Sequence, residues 1–126
     1  MLLNLAIDVM KNAYVPYSNF RVGVSIKSSN NKFYVGCNVE NAAYPLGACA
    51  ETGAISAMVA GGCRYIAEIL VVSEGTRLIV PCGGCRQKLL EFSNSETRIL
   101  LATGSSVKKI LSIDELLPLS FDKSFL

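Results

Sequence analysis

The chain has 126 residues, of which 51% are hydrophobic and 17% charged, a balance that predicts one globular domain over residues 1–126 and excludes a disordered chain. It contains no histidine, which excludes imidazole-dependent hydrolysis and leaves sulfur and carboxylate as its charged metal ligands. Its 12 lysines and arginines exceed its 10 aspartates and glutamates by only two and are scattered along the chain, so no nucleic acid partner is expected.

The first predicted elements are a helix and a β-hairpin. Apolar residues at helical spacing predict an amphipathic helix over residues 2–13, ending before the Val15-Pro16 step. From Phe20 the apolar residues alternate with polar ones, which predicts a strand over 20–27. The alternation resumes over 33–37 after a polar turn, so the two strands are expected to pair.

The rest of the chain alternates helical and strand patterns. The predicted elements are a helix over 49–60, a strand over 66–72, a helix over 82–92, strands over 98–103 and 107–111, and a short helix after the capping box of Ser112 and Glu115. This order predicts an α/β fold with helices on both faces of a mixed five-stranded sheet.

The sequence predicts a cytoplasmic protein with no membrane partner. The first residues lack a basic leader, and no uncharged run approaches the roughly 18 apolar residues of a membrane helix. The five cysteines are odd in number, which favours reduced thiols over a disulfide framework.

Two short motifs contain the residues suited to chemistry. Cys49-Ala50-Glu51 opens one predicted helix, and Pro81-Cys82-Gly83-Gly84-Cys85 opens another, with 32 residues between Cys49 and Cys82. Helix N-terminal ends favour thiolates, and three thiolates leave the fourth position of a zinc ion open, as in catalytic sites. Joined in this order, the motifs match the zinc deaminase signature, with Glu51 placed to move protons without binding the metal.

Each motif alone permits other interpretations. The Cys82–Cys85 pair also suits thiol redox chemistry, which predicts activity that survives a chelator. A zinc ion that only staples the fold, in a catalytically weak or inactive binding module, is a second alternative. The carboxylate of Glu51 distinguishes a catalytic zinc from a structural one, because a structural zinc does not need it.

Several stretches resemble the small homotetrameric cytidine deaminases: residues 13–23 (AYVPYSNFRVG), 36–45 (GCNVENAAYP), 49–51 (CAE), 81–87 (PCGGCRQ), and, more loosely, 116–121. The resemblance implies a three-layer α/β/α sandwich that deaminates cytidine and 2′-deoxycytidine for pyrimidine salvage. It implies one Zn²⁺ per subunit on Cys49, Cys82 and Cys85, which activates water for attack at C4, with Glu51 as proton shuttle. A blasticidin-type deaminase, which shares the zinc signature, is the related alternative.

The resemblance also implies how the nucleoside is bound. Asn38 and Glu40 match positions that bind the ribose hydroxyls, and two residues apart on a strand they would share one face. Phe20 matches the aromatic residue beside the pyrimidine, and Ala50 is expected to contact the substrate. By the same resemblance Ala42 and Tyr44 lie at subunit contacts that complete a neighbouring site, and Phe121 lies in a C-terminal lid.

Charge at the metal raises a further expectation. Three thiolates outweigh Zn²⁺ by one unit, and Arg86, next to Cys85, is expected to donate hydrogen bonds to a ligand sulfur. The family commonly has arginine after the glutamate, where this chain has Thr52. We therefore expect a higher pH optimum here than in relatives with that arginine.

Overall fold

A single five-stranded sheet organises the chain in the computed structural model, which describes residues 1–126. The strands are β1 (Val22–Ser28), β2 (Phe33–Cys37), β3 (Ile66–Ser73), β4 (Arg98–Thr103) and β5 (Ser106–Leu111). They lie in the order β2-β1-β3-β4-β5, with β3 and β4 parallel and every other neighbouring pair antiparallel. The predicted mixed sheet is confirmed.

Helices cover both faces of this sheet. They are α1 (Leu2–Met10), α2 (Ala50–Ala60), α3 (Gly83–Glu91) and α4 (Ile113–Leu116), with 3-10 turns at Tyr44–Leu46 and Lys123–Phe125. Alternate residues of β3 face opposite layers: Leu70 packs in a cluster with Ala6 of α1, whereas Ile69 packs with residues of α2, α3 and α4. The predicted three-layer α/β/α sandwich is confirmed. The longest helix has 11 residues, and none is long and apolar enough to cross a membrane.

The observed boundaries differ from the predicted ones where local hydrogen bonds take over. The helix predicted over 2–13 ends at Met10, because the amides of the next turn bond to carbonyls three residues back. The strand predicted from Phe20 begins at Val22, because the Asn38 side chain bonds to both of these residues. The helices predicted from Cys49 and Cys82 begin one residue later, and each cysteine is the N-cap.

Helix α2 lies directly against β2. A Cβ atom added at Gly36 would lie 2.3 Å from the amide nitrogen of Ala54 and 2.5 Å from the carbonyl oxygen of Ala50. Only glycine permits this approach of strand backbone to helix backbone. The contact fixes the position of the helix whose first residues belong to the Cys49-Ala50-Glu51 motif.

Candidate active site

Three cysteines meet at the N-terminal ends of α2 and α3. Cys49 and Cys82 have extended backbones, and their carbonyl groups accept hydrogen bonds from the amides of Gly53 and Arg86. Cys85 lies in the first turn of α3 and is buried. The three Sγ atoms lie within 4.8 Å of one another. The structure thus brings together the cysteines that the sequence proposed as metal ligands.

This donor set fits one zinc ion. Amide groups in the first turn of α3, chiefly that of Cys85, lower the pKa of the Cys82 thiol. Burial raises the pKa of the Cys49 and Cys85 thiols, so these two need a nearby positive charge to ionise. A divalent cation supplies that charge, and zinc binds cysteine sulfur atoms in tetrahedral geometry.

Glu51 lies in the first turn of α2, two residues after Cys49, with 5% of its surface exposed. Burial raises the pKa of its carboxyl group, and the ammonium group of Lys88 opposes this shift. Lys88 is held nearby, because its Nζ donates a 2.8 Å hydrogen bond to Oγ1 of Thr52. A buried carboxyl group with a raised pKa is suited to accept and return a proton near neutral pH.

The cysteines and Glu51 share one cavity of about 220 Å³, far more than the roughly 10–15 Å³ that a cavity needs to hold one water molecule. The cavity is lined by Phe20, Val22, Asn38, Cys49, Ala50, Glu51, Val71, Ser73, Ile79, Val80, Pro81, Cys82 and Cys85. Phe20, Asn38 and Ala50 were expected there from the sequence. Ser73 was missed, although it directly follows the predicted strand 66–72, and ligands of α/β sheets bind at such strand ends.

Asn38 fixes one wall of this cavity. Its Oδ1 accepts a hydrogen bond from the amide of Val22, and its Nδ2 donates to the carbonyl oxygen of Phe20, both at 2.9 Å. Asn38 does not lie on a strand as expected, because β2 ends at Cys37. The amide side chain instead ties the chain after β2 to the chain before β1.

Glu40 lies apart from the cavity, in a depression that it shares with Tyr17 and Ser18. One carboxylate oxygen accepts hydrogen bonds from the amides of Tyr17 and Ser18, each at 3.1 Å. The other oxygen accepts from the Ser18 hydroxyl, and this bond is the main reason that the pKa of Glu40 is lowered. The structure therefore does not place Asn38 and Glu40 on one strand face.

Arg86 donates hydrogen bonds to two backbone carbonyl groups. Its Nε donates to the carbonyl oxygen of Pro81 and its Nη1 to that of Leu116, both at 2.8 Å, and a hydrogen bond to a ligand sulfur stays a prediction. The guanidinium group is attracted to two carbonyl oxygens that no helix or strand bond satisfies. Arg86 thereby holds the residue before Cys82 against the end of α4.

The three remaining candidates lie outside the cavity within one chain. Ala42 is exposed, and Tyr44 contacts Tyr17 edge to face at a ring distance of 5.9 Å. Phe121 stacks on Phe125 at 5.2 Å, and its carbonyl oxygen accepts a hydrogen bond from Gln87. Contacts of Ala42, Tyr44 and Phe121 with another subunit stay predictions.

Known proteins resemble this chain over nearly its whole length. Residues 1–101 match the family model for the cytidine and deoxycytidylate deaminase zinc-binding region. A cytidine deaminase of Mycoplasma genitalium is 43% identical over 117 residues, 92% of this chain and 89% of the relative. One of Halalkalibacterium halodurans is 36% identical over 121 residues, 96% of this chain and 92% of the relative. The crystal structure of cytidine deaminase from Burkholderia pseudomallei superposes with a TM-score of 0.89 at 38% identity, covering 95% of this chain and 96% of that one.

Proposed function

Because this chain belongs to the cytidine and deoxycytidylate deaminase family, we propose that it deaminates both cytidine and 2′-deoxycytidine. It is a zinc-dependent hydrolase of cytidine, which consumes one water molecule and yields uridine and ammonia. Deamination of 2′-deoxycytidine extends this activity to the deoxynucleoside. The observation that best supports the deaminase activity is the buried carboxyl group of Glu51, which lies in the same cavity as the three-cysteine cluster.

The proposed mechanism assigns the proton transfers to Glu51. Zinc bound by Cys49, Cys82 and Cys85 supplies Lewis acidity. The Glu51 carboxylate accepts a proton from the water molecule that attacks C4 of the pyrimidine. It donates this proton to N3, then takes the proton of the new hydroxyl group at C4 and passes it to the amino nitrogen, so that ammonia leaves and the C4 carbonyl forms. Burial of Glu51 supports this role, because a raised pKa keeps the carboxylic acid available as a donor at higher pH.

We propose that Phe20 and Ala50 contact the pyrimidine and that Asn38 and Glu40 bind the ribose. Phe20, Ala50 and Asn38 line the cavity, which supports their part. Glu40 accepts three hydrogen bonds from Tyr17 and Ser18. A carboxylate has about four lone-pair positions, so one remains for a ribose hydroxyl.

We further propose that four copies assemble, with Ala42 and Tyr44 at subunit contacts and Phe121 over a site. Tyr44 is 76% exposed and Phe121 60% exposed, and each contacts a second exposed aromatic side chain, so each pair forms apolar surface suited to a subunit contact. Light scattering of the purified protein is expected to give the mass of four chains. A monomeric mass at micromolar concentration would contradict this proposal.

A role in pyrimidine salvage and a cytoplasmic location complete the proposal. The three ligand cysteines are free thiols, and zinc binding requires them to stay reduced, as the cytoplasm keeps them. An inactive, zinc-stapled module is not favoured, because a fold-stapling zinc does not need the buried carboxyl group of Glu51.

An ultraviolet assay of cytidine conversion tests the function directly. The purified protein is expected to contain about one zinc per chain and to lose activity in proportion to the zinc that a chelator removes, with recovery on adding zinc. Conversion that persists at full rate after the zinc has been removed would overturn the proposal, and it is the result that thiol redox chemistry through Cys82 and Cys85 predicts.

A further inference from the structure

One hydroxyl group in the active-site cavity has no hydrogen-bond partner. Ser73 is the last residue of β3 and is 2% exposed, and its Oγ makes no hydrogen bond. Buried polar groups in folded proteins are nearly always paired, so each exception needs an explanation. The neighbouring strand shows the usual arrangement, because the hydroxyl of Thr103, opposite Ser73, donates to the carbonyl oxygen of Gly75 at 2.6 Å.

The side chain of Ser73 belongs to the wall of the cavity. Ser73 and Val71 are two residues apart on β3, so their side chains point to the same face, and both line the cavity. Val22 of β1 is paired with Ser73 and also lines the cavity. The residue that carries the unpaired hydroxyl therefore lies in an apolar wall of the site where the substrate reacts.

The other polar side chains of the cavity already have a partner or a chemical role. Asn38 has its oxygen and its nitrogen engaged by the backbone of Val22 and Phe20. The cysteines are the metal ligands, and Glu51 moves protons. Ser73 is the polar side chain of this cavity that remains without a task.

We infer that the Ser73 hydroxyl is a substrate-binding group that forms a hydrogen bond with the polar edge of the pyrimidine ring. This inference rests on the proposed function. The ring offers acceptors at its 2-carbonyl oxygen and N3, and a hydroxyl can both donate and accept, so Ser73 can bond to substrate and product alike. Apolar neighbours such as Val71 contact the ring without fixing its rotation, which a single directed hydrogen bond does.

The test compares two variants that each delete an unpaired buried hydroxyl. Ser93→Ala is the matched control, because Ser93 Oγ is also buried without a partner but lies in a different depression, beside Asp122 and Lys123. Neither change removes a hydrogen bond of the protein, so both variants are expected to unfold at or above the temperature of the parent chain.

Binding is expected to separate the two variants. Ser73→Ala should raise the KM for cytidine and the dissociation constant of uridine about threefold to tenfold, the loss expected for one hydrogen bond, with kcat within twofold. Ser93→Ala should change neither. Equal constants for the two variants, or a change of kcat alone, would overturn the role of Ser73.

Failure of this inference is distinguishable from failure of the proposed function. Calorimetric titration of the zinc-loaded protein with uridine needs no turnover, so it tests Ser73 independently of the reaction. Absence of ammonia release from cytidine by the parent chain would refute the proposed function, whereas an active parent with unaltered uridine binding in Ser73→Ala would refute only the inference.

Discussion

Replacing Gly36 by alanine tests how α2 positions the active site. The added Cβ would meet three backbone atoms of α2: the nitrogen of Ala54 at 2.3 Å, the carbonyl oxygen of Ala50 at 2.5 Å and the carbonyl carbon of Gly53 at 2.9 Å. Backbone atoms cannot rotate away as side chains do, so the helix must shift as a unit. Because Cys49 caps this helix, the shift moves its Sγ relative to Cys82 and Cys85.

The expected cost is large for a single methyl group. Overpacking a core costs about 1–3 kcal/mol, and a collision with rigid backbone lies at the upper end, near 3 kcal/mol. Urea unfolding of the zinc-loaded protein measures this loss, and competition with a chromogenic chelator measures the expected weaker hold on zinc. A Gly36→Ala protein that unfolds at the parent's urea concentration and retains zinc equally would refute the reasoning.

Gly53→Ala is the matched control, since the same methyl group enters the same interface from the helix side. Its Cβ would lie 3.5 Å from Gly36 Cα, an ordinary contact. Alanine is the better helix former by about 0.5–1 kcal/mol, so this variant should be as stable as the parent or more so. Destabilisation of both variants by the same amount would show that the collision with the α2 backbone is not what destabilises Gly36→Ala.

Two further predictions concern charged side chains near the site. The Glu74 carboxylate accepts hydrogen bonds from Nε and the amide of Arg21, both at 2.8 Å, and these bonds lower the pKa of Glu74. Glu74→Gln should therefore lower the melting temperature by a few degrees at pH 7. The difference in melting temperature between variant and parent should persist down to pH 4.5 and vanish at lower pH, as the folded carboxylate becomes protonated. A difference that stays constant down to pH 3 would contradict this prediction. Arg86→Lys should weaken zinc binding about tenfold in the chelator competition, because one ammonium group cannot span the two carbonyl oxygens. The control Arg98→Lys, at an exposed position, should leave zinc binding unchanged. Equal zinc retention by the two variants would contradict the positioning role of Arg86.

Local patterns made most of the fold predictable. The strands and helices follow from apolar spacing, and each cysteine motif begins a helix as its sequence predicts. That the two helix ends meet was expected from the match of the joined motifs to the zinc deaminase signature. Phe20, Ala50 and Asn38 line the cavity, and it was the resemblance to a family, not a local pattern, that implied their place in a site.

Contacts between distant segments were not predictable. Arg86 bonds to Leu116, 30 residues away, and the sequence gives no sign that this carbonyl oxygen is available. Glu40 bonds to a loop 22 residues earlier, because the chain folds back there after β2 ends. Gly53 has no explanation in its own helix, whereas the structure shows it facing Gly36, where strand and helix backbones meet.

The most direct test of the mechanism is ammonia release from cytidine by Glu51→Gln, measured together with its zinc content. Glutamine keeps the size of the side chain but cannot accept and return a proton, so kcat should fall at least a hundredfold while about one zinc per chain remains. The exposed Glu91→Gln serves as control and should retain parental activity. Zinc-loaded Glu51→Gln that releases ammonia within tenfold of the parent rate would contradict the assignment of Glu51 as the proton carrier.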